Sequence, residues 1–390
     1  MHMDWPGYLA QRLADWEKQG LARRLKAAAG PGVRFSLDGQ AVLSFASNDY
    51  LGLATHPQVL SAAKEAVDKS GSGSSASPLL AGHKAEHLAL ERALAAFKRS
   101  AAALVFPSGY QAALATLGAL AGAEDTILLD RLAHASLLDG AKLSGARLRA
   151  FKHNSPGELA RLLAREKTRR CLVVVESLYS MDGDVAPLAE LLPLTEKNGA
   201  LLLVDEAHAT GVLGQNGHGV LEHAPGALPP HVIALGTLSK ALASQGGFVC
   251  AGQTIINTII HAGRALMFST ALAPAAAAAA LAALKLVDSE PQRREHLLEL
   301  SRQVRAGLAA LKLQVIPSTG PIIPVLIGDE KRAVKWAESL LRQGIYVPAV
   351  RFPTVKKGQA RLRISLSAAH TEADCVALLA AMKTVLRAES

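Results

Sequence analysis

Residues 201–208 of this chain read LLLVDEAH, and residues 232–240 read VIALGTLSK. Both segments begin with four apolar residues and then turn polar, at Asp205 in the first and at Thr237 in the second. Short runs without polar alternation indicate strands of a parallel sheet that helices cover on both faces. Ligands of such sheets bind beyond the carboxyl ends of the strands. The chemistry of this protein is therefore expected directly after these two runs.

The same pattern extends along the chain. Further apolar runs lie at residues 102–106, 126–129 and 171–175, and helical stretches separate most of them. This alternation predicts an α/β fold with a mostly parallel sheet covered by helices. After an alanine-rich helix near residues 271–284, the pattern changes. It predicts a smaller α+β C-terminal domain, with a charged helix at residues 290–311 and strands at residues 322–327, 345–347 and 361–365.

The sequence of the first 45 residues predicts a helix and a hairpin that precede the large domain. Residues 8–29 read as a polar helix, and two short strands at residues 34–36 and 41–45 follow, joined by the turn Asp38-Gly39. A chain of 390 residues exceeds the ~250–300 residues at which single hydrophobic cores stop growing. We therefore expect an N-terminal helix and hairpin arm, a large domain and a small C-terminal domain, at residues 1–45, 46–288 and 289–390.

The charge pattern argues against nucleic acid as a partner. The chain carries 42 Lys and Arg against 33 Asp and Glu, a net charge of +9, but its basic residues are spread out. No zinc finger, RNP signature or clustered basic helix accompanies them. A basic surface can instead attract an anionic partner such as a coenzyme A thioester or an acidic carrier protein.

Cysteine usage and hydropathy predict a protein of the reducing cytoplasm. The three cysteines, Cys171, Cys250 and Cys375, are far apart and odd in number, so they form neither a disulfide framework nor a paired-cysteine metal site. No signal peptide is expected in the first residues. Outside the alanine-rich region, no apolar stretch approaches the ~18 residues of a membrane span.

Lys240 and Asp205 are the first candidates for catalysis. Lys240 lies 240 − 205 = 35 residues after Asp205, and both follow successive predicted strands. A partly desolvated lysine amine forms Schiff bases with aldehydes, and pyridoxal 5′-phosphate (PLP) also needs an acidic partner for its ring nitrogen. A lysine in such a turn is otherwise an ordinary solvated residue, and an aspartate after a strand is otherwise a helix cap. The two residues alone leave both interpretations open.

Further polar residues of the sequence are candidates for the same PLP site. Ser108, Gly109 and Tyr110 follow the run at residues 102–106 and open a helix, where backbone N–H groups can bind a phosphate. Thr237 adds a hydroxyl near Lys240. A P-loop and a convincing G-x-G-x-x-G fingerprint are both absent, which argues against P-loop and nicotinamide enzymes. No H-E-x-x-H pattern is present, so no metal site is expected.

Seven ordered segments between about residues 45 and 377 are similar to the α-oxoamine synthase family of fold-type-I PLP enzymes. The segments are SNDYLGL (47–53), FPSGYQA (106–112), DRLAHASLLDGA (130–141), ESLYSMDGDVAPL (176–188), VDEAHATGVLG (204–214), GTLSKAL (236–242) and FSTALAP (268–274). The resemblance implies that Lys240 binds PLP and moves the Cα proton, that Asp205 pairs with the ring nitrogen, and that His134 stacks on the ring. It implies further cofactor contacts from His208, Ser180, Ser108, Gly109, Tyr110, Thr237 and, across a homodimer with shared active sites, Thr270.

The C-terminal segment GIYVPAVRFPTVKKGQARLRISLSAAHT (344–371) resembles the family members that join L-alanine to a pimeloyl thioester in biotin synthesis. By this resemblance, Arg363 holds the amino-acid carboxylate, Asn48 lies on the substrate side, and Arg23 and Thr354 contact the acyl substrate. The acyl group is expected on coenzyme A or on a carrier protein. Three alternatives stay open: a glycine-using relative such as 2-amino-3-ketobutyrate CoA ligase, an aminotransferase, and a non-catalytic scaffold subunit.

Overall fold

The computed structural model describes residues 4–166 and 169–389. Its first elements are the helix α1 (Trp5–Lys18) and the strands β1 (Ala28–Ala29), β2 (Arg34–Leu37) and β3 (Gln40–Ser44). The hairpin β2–β3 closes through Asp38 and Gly39, whose φ angles are 51° and 85°. Two consecutive positive φ values define the type I′ turn that an Asp-Gly pair favours between strands.

The predicted N-terminal helix at residues 8–29 is wrong at both ends. Asp4 caps the helix by accepting from the backbone N–H of Gly7, so α1 begins earlier. The helix ends before Gly20, whose φ is 66°, because a glycine in the left-handed region is a common helix stop. Beyond it the chain follows the hairpin, where the carboxylate of Asp38 accepts from the Ala27 N–H and the Arg24 guanidinium.

A seven-stranded sheet forms the centre of the molecule. Ahead of it lie α2 (Pro57–Ser70), a π-helical turn (Pro78–Gly82) and α3 (Ala85–Phe97). The strand order is β4-β10-β9-β8-β7-β5-β6, and only β10 runs antiparallel to its neighbours. The predicted fold class, a mostly parallel sheet covered by helices, is confirmed. The strands are β4 (Ala102–Phe106), β5 (Asp125–Asp130), β6 (Arg147–Phe151), β7 (Arg170–Glu176), β8 (Leu201–Asp205), β9 (Val232–Thr237) and β10 (Gly247–Ala251).

Both faces of this sheet are buried. Along β7, Val173 and Val175 belong to one hydrophobic cluster, while Leu172 and Val174 belong to another. Alternate residues of a strand point to opposite faces, so each cluster lies under its own layer of helices. The helices around the sheet are α4 (Gly109–Leu120), α5 (Ala135–Leu143), α6 (Pro156–Arg165), α7 (Leu188–Lys197), α8 (Gln253–Ala262), α9 (Arg264–Met267) and α10 (Pro274–Ser289), with a 3₁₀ turn at Val220–His223.

The C-terminal part is a smaller α+β layer. Its antiparallel sheet has the order β11-β14-β13, while β12 pairs in parallel with β3 and so completes a four-stranded sheet with the N-terminal hairpin. The division into residues 1–45, 46–288 and 289–390 stays a prediction. The elements are α11 (Pro291–Ala310), β11 (Ile322–Gly328), α12 (Glu330–Arg342), β12 (Ile345–Tyr346), β13 (Ala349–Val350), β14 (Ala360–Ser365) and α13 (Glu372–Arg387).

Within residues 4–166 and 169–389, no helix combines the length and the apolar character needed to cross a membrane.

Candidate active site

Three neighbouring strands end at one edge of the central sheet with polar side chains. Glu176 ends β7 and lies opposite Asp205 at the end of β8, and Asp205 lies opposite Leu235 of β9. Lys240 is the third residue after the end of β9. Because these strands are parallel, their carboxyl ends meet at the same edge. The fold therefore brings Asp205 and Lys240 to one place, as the sequence predicts, and adds a second carboxylate, Glu176.

The amine of Lys240 has the properties of a Schiff-base lysine. Its Nζ lies 2.8 Å from Nε2 of His208. Burial lowers the pKa of Lys240 to about 8, although the charges of Asp205 and Glu176 oppose this shift. A lysine with a pKa near neutrality has a larger share of free, nucleophilic amine. Lys240 could therefore bond to an aldehyde at physiological pH.

The carboxyl of Asp205 lies deep at the strand end. Its side chain is buried, and Oδ1 accepts from the backbone N–H of Ala207 at 2.8 Å. Burial raises the pKa of Asp205, while the charge of Lys240 opposes this rise. A cation placed against this carboxylate would favour its ionised form. The protonated ring nitrogen of PLP is a cation of this kind.

The N-terminus of α4 offers donors for a phosphate. Ser108 caps this helix, with Oγ accepting from the Gln111 N–H at 3.1 Å. A Cβ on Gly247 would lie 2.5 Å from the backbone nitrogen of Gly109. The start of β10 can therefore approach the start of α4 this closely only because residue 247 is glycine. The first N–H groups of a helix lack partners within the helix and attract anions. Amine, carboxylate and helix N-terminus together match the aldehyde, ring nitrogen and phosphate of PLP.

Thr237 lies beside the same helix, but its hydroxyl already forms hydrogen bonds within the chain. Its hydroxyl donates to the carbonyl of Gly246 at 2.8 Å, and its oxygen lies 2.7 Å from Oγ of Ser239. A Cβ on Gly109 would lie 3.3 Å from Cβ of Thr237, so the two residues are neighbours. Tyr110 is 44% exposed, and its hydroxyl donates to Asp139 of α5. The proposed contacts of both hydroxyls with a phosphate stay predictions.

The imidazole of His134 is exposed at the start of α5. Its Nδ1 accepts from the backbone N–H of Ser136 at 3.2 Å and lies 2.8 Å from the Ser136 hydroxyl. Because Nδ1 is an acceptor, the neutral ring carries its proton on Nε2. The capping bonds hold the ring at the amino end of a helix, where it can cover a planar ligand.

Arg363 brings the substrate-side residues together. This arginine is buried on β14, and its Nε donates to the carbonyl of Ser180 at 2.7 Å. One terminal nitrogen of the guanidinium donates to Oγ of Ser365 at 2.6 Å and to Oδ1 of Asn48 at 3.3 Å. Asn48, Ser180 and Arg363, far apart in sequence, thus lie at one point. A guanidinium at the site edge is suited to bind a carboxylate.

A cavity of about 850 Å³ is lined in part by Ser180, the residue whose carbonyl accepts from Arg363. Its lining includes four residues named from the sequence: Arg23, His134, Ser180 and Thr354. The cavity is strongly basic, with one aspartate, Asp182, against the side chains of Arg23, Arg131, Lys152, Lys356 and Arg361. Asp182 pairs with Arg361. The salt bridges of the described residues include none to the other four cations, so the cavity favours an anionic ligand.

Thr270 follows Ser269, whose hydroxyl accepts from the Gln111 side chain in the first turn of α4 at 3.0 Å. It is exposed, close to Phe268, whose side chain is 70% exposed. An exposed aromatic ring next to a candidate phosphate ligand is compatible with a role for Thr270 in the site of a second copy. That role stays a prediction.

Two residues of the site were missed from the sequence. Tyr50 is buried, and its hydroxyl lies 2.6 Å from Nδ1 of His208. Glu176 is buried beside Asp205, and its Oε1 has no hydrogen-bond partner among the residues that the structure describes. The rule that chemistry follows strand ends would have found Glu176, which directly follows the apolar run 171–175. For Tyr50 the only signal was its place in the SNDYLGL segment.

One group of potential metal ligands lies near the cavity. The ligand atoms of His153, Asp182 and Asp184 lie within 4.8 Å of one another. However, Nε2 of His153 lies 2.7 Å from Oδ2 of Asp184, and Asp182 pairs with Arg361. These contacts engage the His153 ring and one oxygen of each aspartate without a metal, and the expectation of no metal site stays a prediction.

Comparison with known proteins gives consistent results. The family model of aminotransferase class I and II matches residues 40–382. A putative 8-amino-7-oxononanoate synthase of Desulforudis audaxviator is 48% identical over 383 residues, covering 97% of this chain and 98% of the relative. The 8-amino-7-oxononanoate synthase of Anaeromyxobacter dehalogenans is 46% identical, with 98% and 96% coverage.

Solved structures give the same result for the fold. A serine palmitoyltransferase from S. paucimobilis, solved with PLP and myriocin bound, superposes with a TM-score of 0.92 at 31% identity, covering 99% of both chains. An 8-amino-7-oxononanoate synthase from Francisella tularensis superposes with a TM-score of 0.77 at 28% identity, covering 89% of this chain and 98% of that one. The cofactor of this protein is PLP, and the protein is a transferase. The chain belongs to the aminotransferase class I and II family and, within it, to the α-oxoamine synthases of PLP fold type I.

Proposed function

We propose that this protein condenses L-alanine with a pimeloyl thioester to give 8-amino-7-oxononanoate, CO2 and a free thiol, a step of biotin synthesis. One observation carries the proposal: His134 and Ser180, the second of which accepts from Arg363, line one basic cavity, in a chain 48% identical to a relative of that name over 97% of its length. The family supplies the reaction type, and the cavity supplies the preference for an anionic acyl donor.

The cofactor site is assigned to residues that fit its groups. PLP supplies an aldehyde that bonds to an amine and a ring that accepts electrons. In the proposal, Lys240 provides the amine and Asp205 holds the proton on the ring nitrogen. The N–H groups of Gly109 and Tyr110, with Ser108, bind the phosphate, and Thr237 assists. His134 covers one face of the ring, and His208 and Ser180 contact its edge.

The amino acid is held by its carboxylate. Arg363 is buried and fixed through its bonds to Ser180 and Ser365, so its guanidinium is ordered before substrate binds. A bidentate arginine–carboxylate pair orients the amino acid as well as binding it. Asn48 contacts the same guanidinium. The amine of Lys240, with a pKa of about 8, then takes the Cα proton and later returns it. A positioned proton-transfer group typically contributes ~10²–10⁴-fold.

The acyl donor occupies the basic cavity. Pimeloyl thioesters carry a distal carboxylate, and both coenzyme A and carrier-bound phosphopantetheine carry phosphate. Arg23 and Thr354 are proposed to contact this substrate, since both line the cavity with His134. Arg131, Lys152 and Lys356, which form no salt bridge within the described part of the chain, attract either anion. Delivery by coenzyme A and delivery by a carrier protein are both compatible with this surface.

Assembly and location complete the proposal. Thr270 is proposed to reach the phosphate of the second subunit in a homodimer, because it is exposed on the surface of its own chain. The three cysteines are free thiols, which supports a place in the reducing cytoplasm.

A substrate panel tests the reaction. The purified enzyme with PLP is given L-alanine, glycine or L-serine, each with pimeloyl-CoA, pimeloyl-carrier protein or palmitoyl-CoA. The measurements are free thiol, CO2 and the mass of the product. We expect the highest kcat/KM for L-alanine with a pimeloyl thioester. A preference for glycine, or for L-serine with palmitoyl-CoA, would refute the assigned substrates and leave the PLP chemistry intact.

Replacement of Arg363 tests the carboxylate site. In Arg363→Lys the point charge stays but the bidentate fork is lost, so KM for L-alanine should rise about 10-fold or more, as expected for ~1.5–3 kcal/mol of a charged hydrogen bond. The KM for the acyl thioester should change little. Arg342→Lys, on the exposed end of α12, is the matched control. An unchanged KM for L-alanine would remove Arg363 from the assignment.

A further inference from the structure

His153 lies in the wall of the basic cavity and bonds to two carboxylates. Its Nδ1 lies 3.0 Å from Oδ1 of Asp130, the last residue of β5. Its Nε2 lies 2.7 Å from Oδ2 of Asp184, in the segment that follows β7. The side chain of Asp130 is 1% exposed and that of Asp184 is 27% exposed. The ring of His153 therefore joins the end of one central strand to the segment that follows another.

The imidazole of His153 is a cation at neutral pH. Burial acts to lower its pKa, but the hydrogen bonds and charges of Asp130 and Asp184 outweigh burial and raise the pKa to about 10. A cationic imidazole donates from both nitrogens, so each carboxylate accepts a charge-assisted hydrogen bond. The buried ring of Tyr179 packs edge-on against His153, with ring centroids 4.3 Å apart. These contacts fix the orientation of the imidazole.

Asp184 belongs to a short loop, residues 179–184, that also contacts Arg363. The Tyr179 N–H donates to the carbonyl of Asp184 at 3.0 Å, and the Gly183 N–H donates to the carbonyl of Tyr179 at 2.8 Å. In the same loop, the carbonyl of Ser180 accepts from Nε of Arg363 at 2.7 Å. Because its two ends are bonded to each other, the loop 179–184 moves as a unit. The position of Asp184 therefore influences the position of the Ser180 carbonyl.

A second side chain contacts Asp184, but without a charge. Nδ2 of Asn154 donates to Oδ2 of Asp184 at 2.7 Å. This bond does not neutralise the repulsion between Asp184 and Asp130, whose carboxylates both face His153. Like charges in partly buried surroundings repel once the cation between them is removed. Without the charge of His153, we expect the loop 179–184 to move away from β5.

Contacts with the C-terminal part of the chain would carry Arg363 along with that movement. The Thr319 N–H donates to the carbonyl of Gly183 at 2.7 Å. Asp182 pairs with Arg361, which lies two residues before Arg363 on β14. The loop 179–184 thus connects the strand that carries Arg363 to the central sheet, where Lys240 and Asp205 lie.

We propose that His153 is a positioning residue: its imidazole, bonded to Asp130 and Asp184, holds the loop 179–184 in the place from which Ser180 orients Arg363 for the carboxylate of the amino-acid substrate. The inference rests on the proposed function, in which Arg363 binds that carboxylate. His153 acts through the loop and not on the reacting atoms.

The variant His153→Gln tests the importance of the charge. Glutamine keeps hydrogen-bonding groups but is never a cation. KM for L-alanine should rise roughly 10-fold, the size expected when a charge-assisted hydrogen bond is lost. The value of kcat should change much less, and the absorbance spectrum of the PLP-bound enzyme should stay the same. His261→Gln on α8 is the matched control, since His261 is exposed, and it should leave KM unchanged.

A second substitution separates the charge of His153 from its packing. In His153→Gln/Asp184→Asn the repulsion between two carboxylates is gone, so KM for L-alanine should return most of the way to the wild-type value. A double variant as impaired as His153→Gln alone would mean that the shape of the ring matters and its charge does not, which overturns the proposal.

Hydrogen exchange in the PLP-bound enzyme without substrate gives a readout that is independent of catalysis. The amides of Tyr179 and Gly183 should exchange faster in His153→Gln than in the wild type, and equal rates overturn the proposal. The kinetic results distinguish the two levels of the account. An unchanged KM for L-alanine in His153→Gln beside a raised KM in Arg363→Lys overturns this inference alone. An unchanged KM in both variants refutes the proposed carboxylate site, and the inference with it.

Discussion

At the scale of single residues, the site is defined by charges that burial keeps close together. Glu176 and Asp205 end adjacent strands side by side, and Lys240 faces both. Two buried carboxylates on neighbouring strand ends repel each other when both are ionised, so ionising both is costly. Burial, with the charge of Asp205 adding to it, raises the pKa of Glu176 to about 8. Glu176 therefore carries a proton at neutral pH, and Asp205 is left as the carboxylate for the ring nitrogen.

The proton on Glu176 predicts a dependence of stability on pH. The folded protein keeps this proton up to a pKa of about 8, whereas the unfolded chain releases it near 4.5. Between these values unfolding releases a proton, so the contribution of Glu176 to the free energy of unfolding falls as pH rises. Glu176→Gln removes this loss, on the order of a few kcal/mol at the upper end.

Thermal melts of the PLP-free protein provide the measurement. The Tm of Glu176→Gln relative to wild type should rise steadily between about pH 5 and about pH 9. The groups facing Glu176 are Asp205, Lys240 and the backbone of Ser180 and His134, and they are the same in both proteins. A difference in Tm that does not vary with pH would show that Glu176 is ionised throughout.

The role of a residue could be predicted where a reactive type of side chain directly follows a predicted strand. Lys240 and Asp205 each follow an apolar run, which is where a parallel sheet binds its ligands, whereas Arg363 was named only through the family resemblance of the C-terminal segment. Tyr50 could not be placed, because its position in the site depends on a contact with His208 that is 158 residues away. Contacts across the fold have no local sequence signal.

At the scale of elements, the turn after β8 is anchored by a buried ion pair. Nζ of Lys98, at the end of α3, lies 2.8 Å from Oε2 of Glu206, and the two side chains are 2% and 0% exposed. Lys98 also donates to Oγ1 of Thr210 at 2.9 Å and to the carbonyl of His218. Glu206 accepts from the N–H of Leu221 at 3.0 Å. The pair thus fixes the turn that carries Asp205 and His208.

Replacing one partner of the Lys98–Glu206 ion pair should lower the free energy of unfolding considerably. Lys98→Met leaves the Glu206 charge buried and unpaired, which typically costs about 3–5 kcal/mol. The double variant Lys98→Met/Glu206→Leu should recover part of this loss, because a pair of apolar side chains leaves no unpaired charge. Urea unfolding of the two variants gives the comparison.

A surface pair serves as the control for that experiment. Arg302 and Glu299 lie on α11 with side chains 72% and 42% exposed, and Arg302→Met should cost at most about 1 kcal/mol. If Lys98→Met costs no more than this control, the buried pair does not anchor the turn.

Strands with an uninterrupted apolar sequence could be predicted, whereas strands and helix ends with a mixed sequence could not. The parallel strands β7, β8 and β9 each contain an uninterrupted run of at least four apolar residues. In contrast, β6 reads RLRAF, with charged residues on an edge strand, and β10 begins with glycine. The end of α1 was missed although Gly20 marks it, because the polar residues after Gly20 keep a helix-like composition.

At the scale of the whole molecule, the proposed homodimer predicts a mixed site. If Thr270 serves the second subunit, a dimer of one Lys240→Ala chain and one Thr270→Trp chain contains one site with both native residues. Such a dimer should have about half the turnover of the wild type, since two-fold symmetry gives each dimer two sites. Co-expression with two different affinity tags isolates the mixed dimer.

Each parent homodimer is the control, and both should be nearly inactive. An inactive mixed dimer would mean that Thr270 acts within its own chain. The fold class and the family could be predicted from ordered motifs along the chain, but contacts between subunits could not, because they depend on surfaces that a single sequence does not locate.

The central claim is that Lys240 is the residue to which PLP is attached. Borohydride reduction of the holoenzyme, followed by proteolysis and mass spectrometry, locates the attached pyridoxyl group. We expect it on the peptide that contains Lys240, and we expect no such adduct in Lys240→Ala. A pyridoxyl group on another lysine, or an unchanged yield of adduct in the variant, would contradict the account.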